Sequence, residues 1–265
     1  MKSLKEALLN RPKNISGALL DVHEESIMKF LKQNYNGLDF DEERVTIKHT
    51  DNGTIVDYKG SLVFDGDGPL TNGDFRFGEV EDFDCSMCPD LVNLEGSPEI
   101  VKYTFNCSHC NNLKSLEGAP KKVGVEFDCE VCKNLKSLEG LPQPINNRMG
   151  YNLSCSGCKN LKNLKGCPEL LKSLMASECG LETLEGGPKR VFDMMNLRSC
   201  KNLTTLKGCP KKFTFLILSD CINLHSLEYV DLKNIPSGMK NIQITKNNMT
   251  ITDTGTVPEE RIHYM

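Results

Sequence analysis

The sequence predicts a repeat solenoid of α/β type, with short parallel strands stacked on a concave face and a mostly non-helical convex side. One cysteine recurs in steps of 22, 22, 26, 21, 21 and 21 residues. Around it lies a fixed frame, apolar-x-apolar-x-x-Cys-x-x-Leu-x-x-Leu, which a Gly-x-Pro usually follows. One such coil cannot bury its apolar face alone, so this period is typical of stacked coils. The recurring cysteines are Cys88, Cys110, Cys132, Cys158, Cys179, Cys200 and Cys221.

The composition excludes several classes of protein. Hydrophobic residues make up 38% and charged residues 26% of the 265 residues, which is typical of globular proteins. A net charge of -4 gives no general attraction to nucleic acid or anionic lipid. The chain has no apolar run of about eighteen residues and no secretory h-region. We therefore expect a cytoplasmic protein with reduced thiols and no membrane contact.

Residues 1–82 are predicted to form an α+β cap that covers the first coil. A capping box from Asp21 to Glu24 precedes an apolar stripe, which predicts a helix. The stretch RVTIKHTDNGTIVDY alternates on both sides of Asn52–Gly53 and predicts a hairpin. Residues 61–82 are predicted to contain a degenerate first coil.

Residues 83–255 are predicted to form the solenoid, and residues 256–265 a C-terminal tail that closes it. In each coil the two apolar residues of the triplet point inward, and two leucines such as Leu113 and Leu116 fill the interior. An eighth unit, IQITKNNMTI, carries Asn247 in place of the cysteine. The third unit has four extra residues after Pro142, which predict a loop on the return path.

The repeats also explain the thirteen cysteines. The second cysteine of each pair is replaced only once, by asparagine, which favours a side chain that bonds backbone groups inside a tight turn. Cys167 and Cys209 precede prolines, so no cysteine is left over. The first position accepts several apolar residues and is predicted to be a buried slot. It holds Cys85, Cys107, Cys129, Cys155, Ala176, Leu197, Leu218 and Ile244.

Metal and catalytic chemistry are the alternatives. The spacing from Cys107 to Cys132, C-x2-C-x18-C-x2-C, matches a four-cysteine zinc ribbon. Apolar replacements in later units make burial the simpler account. A calcium loop starting at Asp65 fails at Leu70 and Arg76. No catalytic pairing emerges for the five histidines, which are predicted to be surface residues. We therefore expect no enzyme, metal or cofactor.

The frame L-x-L-x-x-N/C-x-L resembles that of leucine-rich repeats, in their cysteine-bearing variety, over about residues 83–255. The segment LKSLEGAPKKVG, followed by FDC, is similar to short repeats in proteins of tailed bacteriophages and bacteria. The resemblance implies stacked strands on a concave face that binds varied partners. One departure is a return segment of nine or ten residues with Gly and Pro, which predicts turns and extended chain instead of a helix.

Lysines recur at two flanks of the coil and are predicted to stack into positive stripes. Such stripes could meet an acidic partner or phosphates, or could simply form a soluble edge. Nucleic acid is disfavoured, because interleaved aromatic residues are missing. The stripes contain Lys114, Lys133, Lys136, Lys159, Lys162 and Lys201 on one flank and Lys121, Lys122, Lys189, Arg190, Lys211 and Lys212 on the other.

The concave face is the predicted site, because its exposed residues differ from coil to coil on a fixed frame. We expect a non-catalytic module that binds a macromolecule, and a protein is the favoured partner. The resemblance implies a phage protein that occupies or inhibits a host protein, including a defence enzyme. The alternatives are a structural component of a virion or assembly and, more weakly, a zinc-dependent or nucleic-acid-binding module; the oligomeric state stays open. The predicted partner-binding residues are Asp84, Met87, Asn106, His109, Asp128, Glu130, Val131, Met175, Glu178, Asn196, Arg198 and Asp220.

Overall fold

A computed structural model of the chain describes residues 17–35, 40–233, 241–244 and 251–264. The protein is a parallel β-solenoid of about nine turns. The prediction of stacked coils with little helix is confirmed at this level. Asn247, the predicted replacement for the cysteine of the eighth unit, lies outside the described residues.

The N-terminal part consists of a helix and a hairpin that leads into the solenoid. Helix α1 (Gly17–Asn34) begins four residues before the predicted start at Asp21, so the predicted capping box was wrong. The antiparallel hairpin is confirmed as β1 (Val45–Thr50) and β2 (Gly53–Val63). Thr50 pairs with Gly53, which places the turn one residue earlier than predicted.

Strand β3 (Phe75–Asp84) stacks in parallel on β2 and starts two rows of strands. Its end continues into the first row, while its middle pairs with the first strand of the second row. The first row contains β5 (Thr104–Asn106), β7 (Glu126–Asp128), β9 (Asn152–Ser154), β11 (Ser173–Met175), β13 (Met194–Asn196), β14 (Phe215–Ile217), β15 (Ile242–Ile244) and β16 (Ile262–Tyr264). The second row contains β4 (Ile100–Val101), β6 (Lys122–Val123), β8 (Gln143–Pro144), β10 (Leu170–Leu171) and β12 (Arg190–Val191).

The second row was not predicted, although the return path is non-helical as expected. Between Val45 and Pro258 the described residues contain no helix. Each second-row strand has only two residues, of which the second is buried, as at Val101 and Val123. The extra residues after Pro142 form exposed turns, as predicted, and the buried Tyr151 ends the excursion by donating its hydroxyl to the Pro142 carbonyl at 3.1 Å.

The interior consists of columns in which equivalent residues lie on one another from coil to coil. The aromatic column starts with Phe83, Phe105 and Phe127, whose neighbouring ring centroids lie 5.7 and 5.1 Å apart. The paired leucines, such as Leu113 and Leu116, are fully buried, as predicted. This repeated packing holds the outward side chains of the first row at fixed spacings of about 4.8 Å.

Candidate functional site

The recurring cysteines form a hydrogen-bonded column inside the solenoid, which we call the thiol ladder. From Cys110 onward, each thiol donates to the carbonyl of the slot residue one coil earlier, with Sγ–O distances of 3.1 Å from Cys110 to Cys85 and 3.2 Å from Cys132 to Cys107. The bond persists at 3.1 Å from Cys200 where the slot residue is Ala176. The predicted burial of both cysteine positions and the predicted bonding of backbone groups are confirmed.

Burial also governs the chemistry of these thiols. It raises the pKa of Cys110 to about 12 and that of Cys221 to about 12, so both stay protonated and weakly nucleophilic at neutral pH. Cys132 differs, because a hydrogen bond from the Cys107 thiol lowers its pKa. Within the described ranges, no group of three or more His, Cys, Asp or Glu residues is placed to hold a metal ion.

The outward side chains of the first strand row form one continuous surface, which we call the outer face. From β5 to β14 each first-row strand buries its middle residue, and in all of these except β9 the first and third residues face outward, as at Glu126 and Asp128 of β7. The prediction found the third residues, including Asp84, Asn106, Asp128, Met175 and Asn196. It missed the first residues, because the strands begin one residue before the apolar triplet. These are Asp82, Thr104, Glu126, Asn152, Ser173, Met194 and Phe215.

A second column, which we call the rim, borders the outer face and consists of the residue just before each ladder cysteine. Every rim residue has a positive φ, for example 61° at His109 and 57° at Val131. Only one of the seven is a glycine, Gly157. Left-handed backbone is costly for other residues and is a true outlier for a β-branched one. The rim contains Met87, His109, Val131, Gly157, Glu178, Ser199 and Asp220.

Four of the predicted residues on the outer face shape the turn that leads to the rim. The side-chain oxygen of Asp128 accepts the backbone N–H of Glu130 at 2.8 Å, and that of Asn106 accepts the N–H of Ser108 at 2.9 Å. Asp84 and Asn196 make the same bond in their coils. These side chains therefore have a structural role whether or not they touch a partner.

The remaining predicted residues lie between the strand end and the rim. Glu130 accepts a hydrogen bond from the Ser154 hydroxyl, and Arg198 Nε lies 3.3 Å from the Asp220 carboxylate. The alternation of the repeats predicts that Ser108, Ser154 and Ser219 also face outward. The structure corrects this prediction, because all three are buried.

The N-terminal part of the outer face is acidic. Asp82, Asp84, Glu126, Asp128 and Glu130 carry five carboxylates, and none of them forms an ion pair with Lys or Arg within the part of the chain that the structure describes. Burial, with a smaller contribution from the charges of Glu130 and Glu126, raises the pKa of Asp128 to about 6 from its ordinary 3.8. Keeping Asp128 ionised in the folded protein therefore costs stability at neutral pH.

Replacing Asp128 with asparagine should stabilise the protein at neutral pH. Between about pH 4 and pH 6 the folded protein holds more protons at Asp128 than the unfolded chain, so stability is lost as the pH rises through this window. We expect Asp128→Asn to gain about 1–2 kcal/mol at pH 7, after discounting for solvent screening, and almost nothing at pH 4. Asn106 and Asn196 show that the amide can accept the turn bond.

Urea denaturation at pH 4 and pH 7 tests this expectation. Asp128→Ala is the control, because it removes the charge and the turn acceptor together and should gain less at pH 7. An equal gain from Asp128→Asn at both pH values would contradict the assigned burial of the charge.

The C-terminal part of the outer face is apolar. Phe215 is 40% exposed, and Met194 and Ile217 are half-buried beside it. Together with Asn241, Gln243 and His263 they line a hollow of about 320 Å³. Exposed apolar groups gathered at one place are typical of an interaction surface.

The lysine columns are partly neutralised, since four of their twelve residues form ion pairs with glutamates within the described residues. Lys159 pairs with Glu178 at 3.2 Å and Lys162 with Glu182 at 3.0 Å, each across neighbouring coils. Lys121 pairs with Glu99 at 3.0 Å on the other flank. The other eight residues form no ion pair among the described residues, so the columns keep part of their positive charge.

One histidine departs from the predicted surface position. His23 is buried, and its Nε2 lies 3.0 Å from the Thr54 hydroxyl, which also lies 3.1 Å from His49 Nδ1. The surface prediction was therefore wrong for His23, whereas His109 and His225 are exposed. No sequence pattern indicates this contact, since it depends on how α1 packs on the hairpin.

No helix in the described ranges is both long and apolar enough to cross a lipid bilayer. No protein-family model matches the chain, and comparison with curated proteins and with solved structures finds no match either. The candidate site therefore stands on the geometry of the outer face and the rim.

Proposed function

We propose that the protein is a non-catalytic module that recognises another protein through its outer face and rim. The observation that carries this proposal is the strained rim, where six of seven positions keep a side chain although glycine would adopt the backbone more easily. Such strain is typical of sites where the side chain itself is needed. Side chains on both surfaces also differ between coils, while the interior columns repeat.

The sequence of the repeats supports a finer assignment. The repeated frame favours a short, divergent leucine-rich repeat in which a second strand row replaces the helix, with the outer face on the concave side. The repeat wording favours a phage protein that occupies or inhibits a host protein, including a defence enzyme, in the host cytoplasm. This assignment rests on the resemblance of the repeats.

A triple replacement in the rim tests the proposal. Met87→Gly, His109→Gly and Val131→Gly together should leave the protein folded and gain up to about 2 kcal/mol, because relieved strain outweighs added chain entropy. The same variant should lose the proteins that wild type captures from a bacterial lysate. Quantitative mass spectrometry of the captured proteins, combined with urea denaturation, measures both effects.

The matched control places three glycines in the same coils but in another column. Val92→Gly, Lys114→Gly and Lys136→Gly change exposed residues away from the rim. This control should lose some stability and keep the captured proteins. Capture that is unchanged in the rim variant, or no protein captured above background by wild type, contradicts the proposal.

A structural role is the second candidate, and one observation favours it. β16 is the last strand of the sheet and pairs only with β15 within the described residues, so an edge is open for another chain. Sedimentation that shows large assemblies of the purified protein, unaffected by the rim replacements, would favour this role over partner recognition.

A further inference from the structure

We propose that the outer face binds a polypeptide segment with cationic side chains at one end and bulky apolar side chains at the other. The segment would lie along the stack, across successive first-row strands. This inference rests on the proposed function and adds the chemistry and spacing of the partner.

The acidic part of the outer face calls for a cationic partner. Asp82 and Asp84 end β3, and Glu126 and Asp128 lie on β7, about 10 Å away across β5. Elsewhere on the solenoid some acidic residues are neutralised across coils, as at the pair of Lys165 and Glu139 at 3.0 Å. The carboxylates that end β3 and those on β7 instead face outward together and form no ion pair with Lys or Arg within the described residues.

The pKa of Asp128 is consistent with a cationic partner at this end of the outer face. Its pKa is raised by burial and by Glu130 and Glu126, while the charge of His109 opposes the shift. Cations of a partner placed near these carboxylates would favour the ionised form of Asp128. Binding should therefore release a proton near pH 6 and weaken as the pH falls to 5.

The apolar part calls for large hydrophobic side chains. Met175, Met194, Phe215 and Ile217 turn outward on three neighbouring strands, and the hollow of about 320 Å³ beside them offers room for such a side chain. Methionines adapt readily to the shape of an incoming group.

The spacing between the two parts sets the length of the segment. From β7 to β13 there are three strand steps, which correspond to about 14 Å. An extended peptide covers this distance in about four or five residues. Between the two parts, β9 and β11 begin with the uncharged Asn152 and Ser173, so the middle of the segment needs no particular charge.

Three labelled peptides test the inference by fluorescence anisotropy with the full chain. One carries four lysines, one carries Phe-Leu-Phe, and one joins the two through five Gly and Ser residues. At low salt and pH 7 we expect the joined peptide to bind at least tenfold tighter than either half. We also expect it to bind about tenfold more weakly at pH 5, and Asp128→Asn should reduce this pH dependence.

Variants locate the binding. Glu126→Lys should weaken binding of the joined peptide at least tenfold, and Glu126→Gln should weaken this binding less. Glu117→Lys makes the same change of charge at an exposed position on another column and should change binding less than twofold. Phe215→Ser should remove the advantage of the joined peptide over tetralysine. Circular dichroism confirms that each variant is folded.

Two outcomes overturn the inference. Equal binding of the joined peptide and tetralysine would exclude the apolar part, and equal losses in Glu126→Lys and Glu117→Lys would reduce the effect to general charge. If either occurs while the rim variant still loses its captured proteins, only the partner chemistry is wrong. If the rim variant captures every partner of wild type, the proposed function itself fails.

Discussion

Replacing Phe105 with alanine is expected to lower the free energy of unfolding by about 3–5 kcal/mol. The Phe105 ring is fully buried between the rings of Phe83 and Phe127, at centroid distances of 5.7 and 5.1 Å. Alanine would leave a cavity between two coils that cannot close without shifting the stack. Urea denaturation followed by circular dichroism measures the loss.

Phe105→Leu is the matched control, because Leu153 and Leu174 occupy the same column in later coils. We expect this variant to lose about 1–1.5 kcal/mol, since leucine refills most of the volume. If Phe105→Ala lost less than Phe105→Leu, the aromatic column would not carry the packing assigned to it.

Replacing Cys132 with alanine is expected to cost about 2–3 kcal/mol. The thiol of Cys132 donates to the buried Cys107 carbonyl at 3.2 Å, and alanine would leave this acceptor unpaired and open a small void. The loss is measured by urea denaturation under reducing conditions.

Cys107→Ala tests whether the hydrogen bond or mere volume matters. Alanine already fills the equivalent slot at Ala176 and keeps the carbonyl that Cys132 bonds, so we expect this change to cost only about 1 kcal/mol, through lost packing and the lost thiol bond to Cys132. Similar losses in Cys132→Ala and Cys107→Ala would show that the thiol ladder contributes volume rather than bonding.

The interior could be predicted because each interior position recurs in several coils, and the residues found there can be compared. The slot that holds Cys129 also accepts Ala176 and Leu197, and this replacement pattern favours a buried packing role for the first thiol. The ladder position accepts almost only cysteine, which indicated a geometric demand that the 3.1–3.2 Å thiol bonds explain.

The surface was predicted less completely, for physical reasons. Strands as short as Ile100–Val101 have no visible alternation, so the second row escaped notice. Glu126 and Phe215 were missed because an outward residue before the apolar triplet carries no pattern of its own. Gly157 was the only sign of the left-handed rim in the sequence, because the other coils place residues other than glycine at this position. Neutralisation of the lysine columns depends on contacts between coils, as at Lys162 and Glu182.

The buried thiols also allow the opening of each coil to be measured separately. Eleven of the thirteen cysteines are buried and unbridged, so an alkylating reagent can modify them only after the surrounding turn has opened. Modification rates read site by site, from Cys88 to Cys221, would give an opening free energy for each turn of the solenoid. Because each turn is held only by its neighbours, those at the extremities should react first and Cys132 and Cys158 last.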